Sequence, residues 1–157
     1  MSRLLKFWSL SRREKQFFCE AAVLLLLSQL SVKTIAFRHI DRFLRARWNN
    51  IARRGLDHAE VIGLTNVSLT RVVNLSPWKS LCLSRSMAAF IMLRRRGIPA
   101  VIVAGVKFLE DSSLCAHAWI DTGHVSLTAR SENNAFTPVV TIGQVGLKVD
   151  SVSSQSC

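Results

Sequence analysis

Two residues of this chain have the type and the setting for covalent chemistry: Cys82 and His117. Cys82 follows a turn at Ser76 and Pro77 and leads into Met87–Leu93, an unbroken apolar run that is buried on nearly all sides if helical. Arg94, Arg95 and Arg96 then stand where cations complement a helix C-terminus, and Gly97 and Pro99 stop the helix. Two apolar, β-branched runs follow, 100–106 and 115–120, and His117 lies in the second. A cysteine at the start of a buried helix and a histidine on a later strand are two parts of a thiol-based nucleophilic site.

The placement has a physical purpose. A thiol with an ordinary pKa of about 8.5 is mostly protonated at neutral pH, and the thiolate is the nucleophile. Unpaired N–H groups at a helix N-terminus stabilise that anion and can also hold the oxyanion of a tetrahedral intermediate. A nearby imidazole takes the thiol proton and later returns it to the leaving amine. A single buried cysteine is also a good small hydrophobe, and a strand histidine can be purely structural. Spacing alone leaves both readings open.

The stretch CLSRSMAAFIMLRRRGIPAVIVAGV followed by AHAWID resembles the C-terminal, transglutaminase-like domain of lasso-peptide leader peptidases. In that family a cysteine opens a helix holding an Arg-Ser pair, matched here by Cys82, Arg85 and Ser86. The helix ends in a basic cluster before Gly-Ile-Pro (Arg94–Pro99), and the histidine lies in a His-Ala-Trp strand (His117–Trp119). The N-terminal part, Leu4 to Leu44, shares the family's arginine-punctuated helical look. The resemblance implies a cysteine peptidase that removes the leader from a ribosomally made precursor peptide before macrocyclisation. It implies an α+β, papain- or transglutaminase-like fold, with Cys82 and His117 catalytic and Arg85 and Ser86 supporting the helix. Family members work with a small leader-recognition domain, and with no room for one before Met1 the expectation is a separate leader-recognition protein. The precursor and the macrocyclising enzyme are the other expected partners.

A catalytic histidine usually needs a group that fixes its tautomer and supports its cation. The family places an Asp on the next strand, but residues 124–132 here contain none. If Thr122 and Gly123 form a two-residue hairpin loop, Thr128 falls opposite His117; Glu132 could fold back from the following loop. These two are the candidate orienters. Asp121 shares the strand face of His117, but four strand residues put it about 13 Å along, and turn initiation suits it better. Cys115 lies on that same face by the period-2 rule and could be a core neighbour or, less favourably, a metal partner of His117. No metal is expected. No cofactor is expected, and without a Gly-rich phosphate loop a nucleotide requirement has no support in the sequence.

The formal net charge of +11, from 21 Lys and Arg against 10 Asp and Glu, calls for an anionic partner. No RNA-binding, helix-turn-helix or zinc-finger signature accompanies it, so nucleic acid is not the expected one. The alternative to an enzyme is nevertheless a non-catalytic basic module for nucleic acid or an anionic membrane surface. Four cysteines (Cys19, Cys82, Cys115, Cys157) form no C-x-x-C pair, and without a secretory signal they read as reduced thiols in the cytoplasm.

The remaining elements must hold these residues in place. Ser11 and Glu14 form a capping box for a helix running to about Leu30. Its uninterrupted apolar part, 21–27, is too short to span a bilayer, which leaves a buried helix or an amphipathic membrane-surface helix. A second helix is expected over 31–48, its arginines either a solvated face or a docking surface. A polar connection over 49–57 and a shorter helix around 65–74 follow. Strands are expected at 100–106, 115–120, 125–128 and 136–142. Together these read as one domain over 1–150, helical to 75 and then helix plus antiparallel sheet, with a Ser-rich disordered tail at 151–157.

Overall fold

The computed structural model describes residues 11–34, 39, 42, 44, 57–76, 82–110, 113–123, 126–127 and 136–143. Among the described residues, helices α1 (Arg12–Thr34), α2 (His58–Leu75) and α3 (Cys82–Arg94) precede four strands. These are β1 (Val101–Phe108), β2 (Leu114–Asp121), β3 (Ser126–Leu127) and β4 (Thr137–Ile142). The strands form one antiparallel sheet in the order β3-β2-β1-β4. The architecture is α+β, as expected.

The helix ends follow local chemistry. At the start of α1 the Glu14 N–H donates to Ser11 Oγ, and Glu14 Oε2 accepts from the Ser11 N–H, the reciprocal capping box. The Ser11 N–H holds the Glu14 carboxyl below the ordinary glutamate range. Helix α2 begins earlier than the sequence reading placed it. Asp57, assigned there to a connection, is its N-cap and accepts from the Ala59 N–H. Glu60 three residues on was the missed signal. Helix α3 closes in a Schellman motif: Gly97 N donates to Arg94 O and Ile98 N to Leu93 O. Gly97, at φ 78°, supplies the left-handed residue that this motif needs.

The expected helix over 31–48 differs at its start, because Ser31–Thr34 complete α1. Of the rest only His39, Arg42 and Leu44 are described; all three are helical, and Leu44 is buried in the core.

The main core lies between the helices and one face of the sheet. Phe17, Ala21 and Leu25 of α1, Val61, Leu69 and Val72 of α2, and Met87–Phe90, Met92 and Leu93 of α3 meet Ala100, Ile102, Ala118, Ile120 and Ile142. The opposite sheet face carries a smaller cluster of Val101, Val103, Trp119 and Phe136, with Cys115 against it. Strand alternation produces this division: even-numbered residues of β1 and β2 face the helices and odd-numbered ones face away.

The basic cluster after α3 is a clamp. Arg96 makes a two-point contact with Glu20 of α1 and donates to the Met92 carbonyl, while its guanidinium lies 4.1 Å from the Phe17 ring centre. Arg95 also reaches Glu20, at 3.0 Å. The Cys-bearing helix is thereby tied at its far end to α1.

Candidate active site

Cys82 is the first residue of α3 and is part-buried against the main core. Ser86 follows one helical turn later, so the two share a helix face. The buried Ser86 hydroxyl donates to the Ala118 carbonyl at 3.0 Å. The face of α3 that carries Cys82 is therefore docked on β2 at the residue next to His117.

The imidazole leaves β2 on the other side. His117 lies against Trp119, with ring centres 6.2 Å apart and planes at 21°, and against Phe136, with centres 5.2 Å apart. Its Nε2 is shielded from solvent. Lys107 Nζ sits over the Phe136 ring at 4.7 Å. Gly105 is the cross-strand partner of His117, and its missing side chain makes the cluster fit. A Cβ there would come within 2.8 Å of the Thr137 carbonyl oxygen and 2.9 Å of the Trp119 ring. Cys82 packs with the helical core on the side that Ala118 and Ile120 face, whereas His117 packs on the opposite face of the sheet, so the structure does not bring the two expected catalytic residues together.

Arg85 ties the site to α2 by donating to Thr70 Oγ1 at 2.8 Å. Burial lowers its pKa, but a guanidinium keeps its proton across the physiological range. The Arg-Ser pair acts on the scaffold, Arg85 on α2 and Ser86 on β2. Trp119 is buried, as a core residue would be.

The proposed His orienters fare differently. Asp121 pairs with Ser126 and Ile120 with Leu127, a register that differs by two residues from that of a two-residue loop at Thr122 and Gly123. The two-residue loop on which the placement of Thr128 opposite His117 was conditional is therefore not formed. Thr128 and Glu132 themselves lie outside the described residues. Asp121 does what turn chemistry asks, accepting from the Gly123 N–H at 2.8 Å. Cys115 shares the sheet face of His117 and Trp119. Among the described residues, no group of three or more His, Cys, Asp or Glu side chains gathers to hold a metal. Cys19, Cys82 and Cys115 are in no disulfide.

A helix opened by a cysteine, an antiparallel sheet bearing a histidine, and a buried bond joining the two define a papain- or transglutaminase-like architecture. Residues 23–141 match the transglutaminase-like superfamily, and the chain belongs to it. That span includes Cys82, His117, strands β1 to β3 and all of β4 but its last residue. No curated protein and no solved structure matches the chain.

Proposed function

We propose that this chain is a cysteine peptidase that removes the leader from a ribosomally made lasso-peptide precursor before macrocyclisation, acting with a separate leader-recognition protein. The observation that carries the reading is the Ser86–Ala118 bond, which registers the Cys82 face of α3 on β2 beside His117. Membership of the superfamily supports the cysteine chemistry. The resemblance of the Cys82–Asp121 stretch to leader peptidases supports the substrate.

The reading requires the imidazole, which lies against Trp119 and Phe136 on the sheet face away from α3, to reach Cys82 through a rearrangement of β2 as well as of the side chain. His117 takes the Cys82 proton, and the thiolate attacks the scissile carbonyl carbon. A C–S bond forms, and N–H groups of the first turn of α3 hold the oxyanion. Collapse breaks the C–N bond, and the amine leaves with the proton from His117. Water, deprotonated by His117, then attacks the thioester, releasing the leader carboxylate and restoring the thiol.

The test is mass spectrometry of precursor incubated with wild type, Cys82→Ala or His117→Ala, each with the leader-recognition protein. Leader removal by wild type and by neither variant supports the proposal; cleavage that survives Cys82→Ala overturns it. Adding a primary amine separates hydrolysis from acyl transfer, since a transferase leaves the amine attached to the new carboxyl end. Wild type without the leader-recognition protein should cleave poorly, and equal rates with and without it would remove that partner from the proposal.

A further inference from the structure

Helix α1 is apolar on two sides. Phe17, Ala21 and Leu25 pack into the core, whereas Val23, Leu26, Leu27 and Leu30 remain 57%, 47%, 52% and 52% exposed. At 100° per residue those four fall within an arc of about 100°, opposite the buried one. Cys19 is exposed on the same arc. Four large apolar side chains on one exposed stripe mark a binding face.

The charges around the stripe say what kind of partner fits. Arg12 and Lys33 stand exposed at the two ends of the helix. Its two acids do not oppose an anionic surface: Glu14 is engaged by Ser11 and Arg71, and Glu20 by Arg95 and Arg96. The whole chain carries +11. An apolar face with cationic ends and no free carboxylate suits an anionic lipid surface. Arg12–Thr34 is long and apolar enough by composition to cross a bilayer. With one side built into the core among α2 and α3, however, it cannot face lipid all round, so the helix lies in the interface.

We propose that the outward face of α1, Val23, Leu26, Leu27 and Leu30 between Arg12 and Lys33, seats this protein on an anionic bilayer. The site on α3 and β2 plays no part in this contact, so the proposal stands or falls independently of the peptidase reading.

Sedimentation of the full chain with vesicles of phosphatidylcholine, or of phosphatidylcholine with phosphatidylglycerol, tests it. Binding to the anionic vesicles is expected, weakened by added salt and by Arg12→Gln with Lys33→Gln. The Leu27→Gln, Leu30→Gln double variant should lose about tenfold or more in partitioning, with an unchanged far-ultraviolet circular dichroism spectrum. Val23→Gln with Leu26→Gln is the second variant, should the first fail to fold. No binding to anionic vesicles, or binding that both apolar variants retain, overturns the proposal. So does a dimer seen by light scattering that the same substitutions dissolve, because the face then belongs to a second copy of the chain.

Discussion

Ser86 Oγ donates to the Ala118 carbonyl at 3.0 Å, across the buried junction of α3 and β2. This one bond relates the helix that begins at Cys82 to the strand that carries His117. Substituting Ser86 by Ala removes this buried hydrogen bond, at a cost of about 0.5–1.5 kcal/mol, or roughly 1–6 °C in Tm for a chain of this size. Calorimetry reads the shift. Leader cleavage at a temperature where the variant is still folded should fall as well, because the helix loses its register on β2.

The thiol can be tested without a substrate. Iodoacetamide labelling followed by peptide mapping compares Cys82 with Cys19 and Cys115 in one experiment. Cys82 should react faster than either, and His117→Ala should slow it by about tenfold or more while leaving Cys19 unchanged. A Cys82 rate indifferent to His117 would separate the two residues chemically and argue against a dyad.

Gly105→Ala tests the packing that holds the imidazole. The new Cβ meets a backbone oxygen at 2.8 Å and an indole carbon at 2.9 Å, so strand or ring must shift. The expected cost is about 1–3 kcal/mol. A change in the His117 ring signals by NMR should accompany it, whereas a general loss of stability would leave those signals in place.

Glu20 joins α1 to the end of α3 through two arginines of unequal standing. Its own side chain is 16% exposed and that of Arg96 18%, against 52% for Arg95. Glu20→Gln should therefore destabilise by about 1–2 kcal/mol, and Arg95→Ala by no more than about 0.5. Denaturant unfolding of the two variants decides, and equal effects would contradict this division.

The capping box predicts a pH dependence. The folded-state pKa of Glu14 is lowered by the Ser11 N–H. Its carboxylate therefore stabilises the fold above the ordinary glutamate range, and that contribution is lost as pH falls through the lowered value. Glu14→Gln can still accept from the Ser11 N–H but does not titrate. The stability gap between wild type and variant should close on acidification; a gap constant down to low pH would contradict the assignment.

Much of this was legible in the chain because the forces involved are local. Ser11 with Glu14, Gly97 after Arg94–Arg96, and the β-branched runs around Val103 and Ala118 each encode an interaction spanning a few residues. The helix ends and strands they predict are present. The start of α2 is equally local, set by Asp57 as N-cap and Glu60 in the first turn. The Cys82-to-Asp121 pattern placed the chain in its superfamily for the same reason, since its spacings follow from one helix and two strands.

The folded chain alone decided the long-range pairings. That Arg96 finds Glu20, that Asp121 pairs with Ser126, and that Ser86 reaches Ala118 depend on partners far apart in sequence. Loop length and strand register are set by how the sheet seats on the helices, and a shift of two residues keeps every apolar side chain on its proper face. The alternation of β2 places Cys115 and His117 on one face, but only packing shows that the helix takes the other one. The outward stripe of α1 came to light in the same way: composition shows that the helix is apolar, and the fold selects which side remains uncovered.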